Sequence, residues 1–82
     1  MKTIDFKVGE SVNYDAKMAG EIVTALSETS STVFIIAGNA RVNAKSIIGV
    51  ISLALKSGDP VSVQAQGSDE QEAAKIVKEL LG

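Results

Sequence analysis

The sequence predicts a small α+β fold in which a four-stranded antiparallel sheet carries three helices on one face. Three observations support this prediction. Strand-like and helix-like segments follow one another in the order β-α-β-β-α-β-α. The strand-like segments alternate apolar and polar residues, which is typical of an antiparallel sheet with one buried and one solvated face. The helix-like segments carry apolar residues at helical spacing, and we expect these to cover the buried face.

Four segments have the pattern of strands. Residues Thr3 to Val8 alternate polar and apolar side chains, and Val61, Val63 and Ala65 alternate with polar residues up to Gln66. Between them, Val33 to Ala37 forms an apolar run that is rich in β-branched residues. Gly38-Asn39 then supplies a two-residue turn into the short strand Ala40 to Asn43, so these two strands are expected to form a hairpin.

The first and last helices are predicted from their apolar stripes and end signals. The first stripe is Ala19, Ile22, Val23 and Leu26; Asn13 or Asp15 caps its start, and the polar run Ser27 to Thr32 ends it. In the last helix, Ser68 and Gln71 are expected to form a capping box. The stripe of that helix is Ala73, Ile76, Val77 and Leu80.

The middle helix has an unusual distribution of apolar residues. Ser46 is a good N-cap for the run Ile47 to Leu55, which Ser57-Gly58-Asp59 closes. The large apolar residues of this run point in nearly every direction around a helix. Two interpretations follow: a short helix sunk deeply into the core, or an exposed apolar patch that marks a binding surface.

Composition limits the possible functions. The chain has 82 residues, enough for one domain spanning residues 1–82, and a net charge of −2 with a pI near 4.9 argues against direct nucleic-acid binding. The chain contains neither cysteine nor histidine, so a transition-metal site is not expected, and no cofactor is predicted. No apolar run is long enough for a membrane span, and the N-terminus does not resemble a signal peptide, so we expect a cytoplasmic protein.

Catalytic constellations are also missing from the sequence. There is no serine–histidine or cysteine–histidine pair and no phosphate-binding glycine motif, so an enzyme is not expected. The carboxylates in Asp69-Glu70-Gln71-Glu72 fit the first turn of the last helix, where the helix dipole favours negative charge.

Ser46 has two interpretations. It is either a helix cap alone or a phosphorylation switch beside an apolar surface. A phosphate at this position would meet unpaired amides of the helix start and add about two negative charges to the rim of the patch. Partners that need a neutral rim would be repelled, whereas partners that offer arginine would be recruited.

Residues 42–59, which include Asn43-Ala44-Lys45-Ser46-Ile47, closely resemble the regulatory-serine segment of HPr, the small phosphocarrier of the bacterial sugar phosphotransferase system. The segment Gln66 to Ala73 resembles the same family's entry into its last helix. The resemblance covers essentially the whole chain and implies the HPr-like open-faced β-sandwich. It also implies that Ser46 is the regulatory serine, and that Ile47, Ile48 and Ile51 form the surface presented to partners.

The segment of the family's phosphohistidine departs from the pattern. Asp15 stands at the position of the histidine, Lys17 at the position of the phosphate-contacting arginine, and Met18 at that of the helix-starting proline. Three roles are open for Asp15. In order of preference they are a helix cap, a mimic of a phosphorylated histidine, and an acceptor that forms an acyl phosphate.

The resemblance implies a regulatory protein without histidine phosphocarrier activity, similar in logic to Crh, a histidine-lacking HPr-like protein. Its implied partners are HPr kinase/phosphorylase and a catabolite-control repressor, with enzyme I as a third candidate. The two alternatives are a phosphocarrier that uses Asp15 and a decoy that occupies HPr partners without being phosphorylated.

Overall fold

A computed structural model describes residues 1–82. Its elements follow the predicted order. The strands are β1 (Lys2–Lys7), β2 (Thr32–Ala37), β3 (Ala40–Asn43) and β4 (Pro60–Gln66), and the helices are α1 (Ala16–Leu26), α2 (Ile47–Ser52) and α3 (Glu70–Leu81).

The four strands form one antiparallel sheet in the order β1-β4-β2-β3. The predicted α+β fold, with a four-stranded antiparallel sheet and helices on one face, is confirmed. The Gly38-Asn39 turn also lies where expected, since Ala37 pairs with Ala40 across the hairpin. Gly38 has a φ of 57°, a left-handed conformation that a residue without a Cβ adopts at little cost.

The core lies between the central strands and two of the helices. Val33 and Ile35 of β2 and Val63 of β4 are fully buried, and Ile22 of α1 and Val77 of α3 pack into the same apolar cluster. The predicted apolar stripes of α1 and α3 face the core, but some of the residues that are buried differ from those predicted. Val23 is half-buried in α1, and α3 buries Ala74 and Leu81 while the predicted Ile76 and Leu80 are half-buried.

The prediction that the middle helix extends to Leu55 is wrong. α2 ends at Ser52, and Ala54 has a φ of 49°, which no right-handed helix contains. The reversal at Ala54 lets Leu55 turn back into the core, where it is 6% exposed. Burial of Leu55 outside the helix therefore accounts for the early end.

The predicted capping box of the last helix is also wrong. The N-cap position is Asp69 rather than Ser68, and its side chain makes no capping hydrogen bond. The Ser68 hydroxyl lies 3.0 Å from the hydroxyl of Ser30, and it is Glu70 whose carboxylate accepts from the Gly67 amide, at 3.3 Å. The start of α3 is therefore organised around a contact with another loop.

That contact is made by the carboxylate of Asp69. It accepts from the amides of Ser30 and Ser31, each at 3.0 Å, and from the Ser31 hydroxyl. Ser31 is the one buried polar residue of the chain, so Asp69 satisfies a hydroxyl that has little access to water. The Ser31 hydroxyl, followed by the Ser30 amide, lowers the pKa of Asp69 below its ordinary value.

This contact predicts an acid-dependent loss of stability. Because the folded-state pKa of Asp69 is depressed, its contribution is present above the ordinary carboxyl pKa of about 4 and is lost as the pH falls below it. Urea unfolding between about pH 6 and pH 3 should show a shallower pH dependence in Asp69→Asn than in the unmodified chain. Asp59→Asn, at a carboxylate that accepts only from the local Lys56 amide, is the control. Equal slopes in the unmodified and Asp69→Asn proteins would contradict the assignment.

Candidate functional site

Asp15 lies at the start of α1 and acts as its cap. Its backbone is extended, with φ −135° and ψ −174°, and Oδ1 accepts from the amide of Met18 at 2.9 Å. This is the geometry in which a short side chain satisfies an unpaired amide of a first helical turn. The first of the three roles weighed for Asp15 is therefore observed, and the carboxylate remains exposed to solvent.

An open groove of about 540 Å³ lies beside Asp15. It is lined by Ser11, Val12, Asn13, Asp15, Lys17, Met18, Glu21, Glu79, Leu80 and Gly82. Three of these side chains are carboxylates and only Lys17 is a cation, and Lys17 forms no ion pair with Asp15. The charged side chains that line the groove therefore sum to a net negative charge, which does not favour an anionic phosphoryl group.

Tyr14 connects this segment to α2. Its hydroxyl donates to the backbone carbonyl of Val50, and its ring packs against the core. Partial burial of the phenol raises the pKa of Tyr14 to about 12. No local pattern in the sequence indicates this contact, because the two residues are 36 positions apart.

Ser46 caps α2 as predicted. Its backbone is extended, its hydroxyl accepts from the amide of Gly49 at 3.3 Å, and the residue is exposed. The amide of Ser46 donates to the Asn43 carbonyl at 3.0 Å, which joins the cap to the end of β3. A short strand thus delivers an accessible serine hydroxyl to the first turn of a helix.

The apolar residues of α2 divide into a buried and an exposed set. Val50 is fully buried, whereas Ile47, Ile48 and Ile51 are 46%, 82% and 43% exposed. We call these three residues the isoleucine patch. Of the two interpretations of the middle helix, the exposed apolar patch is the one the structure has, and the deeply buried helix is wrong. The patch begins at the residue after Ser46.

Lys45 makes a second long-range contact that the sequence does not indicate. Its ammonium donates to the carbonyl of Thr29 at 2.8 Å, and its amide donates to Asn43 Oδ1 at 2.9 Å. The side chain therefore crosses from the start of α2 to the loop after α1. This contact holds the Lys45 ammonium, which precedes Ser46 in the sequence, against the loop.

No cluster of three or more acidic, histidine or cysteine side chains that could hold a metal ion occurs in the structure. None of the helices is long and apolar enough to cross a membrane.

The sequence is similar to those of known proteins. A family model described as the PTS HPr component phosphorylation site matches residues 2–82. The phosphocarrier protein HPr of Mycoplasma capricolum subsp. capricolum is 31% identical over 74 residues, which cover 90% of this chain and 83% of that protein. The HPr-like protein Crh of Bacillus subtilis is 45% identical over 58 residues, which cover 71% of this chain and 68% of Crh.

The structure is also similar to solved structures of such proteins. The crystal structure of HPr-C-His from Thermoanaerobacter tengcongensis matches with a TM-score of 0.88 at 34% identity, covering 99% of this chain and 91% of that one. The fold is therefore shared over nearly the full length of both chains.

The contact of Tyr14 predicts how this side chain titrates. Tyr14 is the sole tyrosine and the chain has no tryptophan, so near-ultraviolet absorbance of the phenolate reports on Tyr14 alone. The folded protein should titrate at about 12 and the urea-unfolded protein at the ordinary value of about 10. Because the folded-state pKa is raised, the stabilising contribution is complete below about pH 10 and is lost between there and about 12. A folded-state pKa at the ordinary value would contradict the hydrogen bond and the burial.

The cap at Ser46 predicts that two substitutions of this residue differ in their effect on the free energy of unfolding. Ser46→Ala removes the acceptor for the Gly49 amide and should lower the free energy of unfolding by about 1 kcal/mol, whereas Ser46→Asp retains an acceptor and should cost much less. Urea denaturation of both variants measures this difference. Ser57→Ala, at an exposed serine outside α2, is the control. Equal stability of Ser46→Ala and Ser46→Asp would show that the hydroxyl contributes nothing as a cap.

Proposed function

Because this chain belongs to the HPr family of the bacterial phosphotransferase system, we propose that it is a non-enzymatic regulatory member whose partners recognise Ser46 phosphorylation together with the isoleucine patch. The observation that carries this proposal is the position of Ser46. Its hydroxyl is exposed, lies at the first turn of α2, and is adjacent in sequence to Ile47 and Ile48, which are exposed as well.

The local structure can accept a phosphate at Ser46. The serine oxygen already accepts from the Gly49 amide, and a phosphate oxygen can accept from the same donor more strongly because it is charged. The side chain is at the surface, so its modification displaces no core residue. Phosphorylation is therefore compatible with the fold and concentrates its effect on the surface.

The effect at the surface is a change in electrostatics beside an apolar contact. A phosphoserine adds close to two negative charges at the edge of the isoleucine patch. A partner that buries this edge against apolar or acidic groups loses affinity, whereas one that presents arginine gains charge-assisted hydrogen bonds. One modification can thus exchange one partner for another at the same patch.

Phosphate transfer through the first segment is not favoured. The chain has no histidine, and the carboxylate of Asp15 is already engaged with the Met18 amide. A phosphoryl group on Asp15 would also share the groove with the carboxylates of Glu21 and Glu79, and Lys17 is the one cationic side chain among the lining residues. We therefore place Asp15 as a cap, and rank the acyl-phosphate alternative below the regulatory one.

The partners we propose are HPr kinase/phosphorylase, which would modify Ser46, and a catabolite-control repressor, which would bind the modified surface. Enzyme I is a third candidate for the patch. The relative Crh of Bacillus subtilis is described as a catabolite repression HPr, which supports this assignment. The protein would act on transcription through a repressor and would make no direct contact with nucleic acid.

Incubation with HPr kinase/phosphorylase and ATP tests the proposal. Mass spectrometry should find one phosphate, mapped to Ser46, and none in Ser46→Ala. Ser52→Ala is the matched control because it removes an exposed hydroxyl from the same helix, and it should be phosphorylated like the unmodified protein. Absence of phosphate on Ser46 would end this proposal.

Binding measurements separate the alternatives. Calorimetry with enzyme I should show whether the unphosphorylated protein binds through the patch, with Ile48→Asp as the variant that places a charge on its most exposed residue. Tight binding without any phosphorylation of Ser46 would favour the decoy. A base-labile phosphate formed with phosphoenolpyruvate and enzyme I, and absent from Asp15→Ala, would favour the phosphocarrier.

A further inference from the structure

The patch helix α2 is too short to be stable on its own. It has six residues, fewer than two turns, and three of them are the partly or largely exposed residues of the isoleucine patch. Isolated helices of this length do not persist in water, because a costly nucleus is followed by too few hydrogen bonds. The orientation of the patch therefore depends on contacts that other parts of the chain make with α2.

The last turn of α2 lacks one of the hydrogen bonds that a continued helix would have. The final carbonyls of a helix lack partners, and in a continued helix the Val50 carbonyl would accept from the amide of Ala54. Here Ala54 has left the helical conformation, and its amide donates to Ile51 at 3.2 Å. The backbone then offers the Val50 carbonyl only the Leu53 amide, at 3.3 Å.

Tyr14 supplies a second donor to the Val50 carbonyl. Its hydroxyl reaches the Val50 carbonyl from a segment 36 residues away and so acts as a cap for the end of α2. The phenol is half-buried, which protects this hydrogen bond from competing water.

Tyr14 also belongs to the groove segment. It directly precedes Asp15, whose carboxylate holds the first turn of α1, and follows Val12 and Asn13, which line the groove. Two adjacent residues thus cap two different helices, α1 at its start and α2 at its end. A shift of the backbone at residues 12–15 moves the Tyr14 hydroxyl relative to Val50.

We propose that Tyr14 is a positioning residue that couples the groove beside Asp15 to the isoleucine patch. With its hydrogen bond formed, the last turn of α2 is closed; with the bond broken, that turn opens locally while the sheet and the other helices stay folded. Contact of a partner with the groove segment then changes the order of the patch, and binding at the patch changes the groove segment by the same coupling free energy. This inference does not require Ser46 to be phosphorylated.

Amide hydrogen exchange in the full-length protein tests the positioning role. Tyr14→Phe keeps the ring and removes the hydroxyl, and should speed exchange at Leu53 and Ala54 by about fivefold, the equivalent of one ordinary hydrogen bond. The amides of Val63 and Ala65 in the central strand β4 should be unchanged relative to the original protein. Ser27→Ala, which removes a hydroxyl that donates to Thr24 at the far end of α1, should leave Leu53 and Ala54 unaffected. Unchanged exchange at Leu53 and Ala54, or an equal increase in β4, would overturn the positioning role.

A double-mutant cycle tests the coupling itself. Asp15→Ala releases the first turn of α1 and should speed exchange at Leu53 and Ala54 when Tyr14 is present. In the Tyr14→Phe background the same substitution should have no further effect on these amides, because the hydrogen bond that transmits it is gone. An effect of equal size in both backgrounds would show that Asp15 and α2 are independent and would refute the coupling.

Discussion

The packing of α1 and α3 on the sheet is the constraint on which the rest of the molecule depends. A chain of 82 residues builds one core, and its large buried side chains come chiefly from β2, β4, α1 and α3. α3 packs on β1, β2 and β4, whereas the main contacts of α2 with other helices and strands are those with α1 and β3. Since β3 is an edge strand, α2 sits at the side of the core. Only Val50 reaches the interior, and the three isoleucines of the patch stay at the surface.

Three long-range polar contacts hold the loops around this core. Asp69 binds the Ser30–Ser31 loop, Lys45 binds the carbonyl of Thr29 in the same region, and Tyr14 binds the carbonyl of Val50. Two of these contacts end on backbone carbonyls and the third ends on backbone amides together with a hydroxyl. They give hydrogen-bond partners to backbone groups in loops and at the end of a helix. Both the start of α2 and its end are secured in this way, which accounts for the order of so short a helix.

The start of α1 and the start of α2 therefore differ in their surroundings. At the start of α1, the carboxylate of Asp15 caps the helix and lines a groove that also contains Glu21 and Glu79. At the start of α2, the exposed Ser46 caps the helix beside the isoleucine patch. The charged side chains that line the groove thus argue against phosphate there. Tyr14 places the two segments in direct contact through one hydrogen bond.

The sequence by itself determined the order of elements, the strand pairing around Gly38-Asn39 and the cap at Ser46, and it left the cap of α1 between Asn13 and Asp15. These features depend on residues close together in the chain, where periodicity and capping preferences act directly. The tertiary structure decided where α2 ends, because Leu55 is drawn into the core, and which residue begins α3, because Asp69 is engaged by Ser31. It also decided that the isoleucines are exposed and that Tyr14 reaches Val50. Those outcomes depend on which elements are neighbours in space, and contacts between residues more than thirty positions apart leave no periodic trace in the sequence.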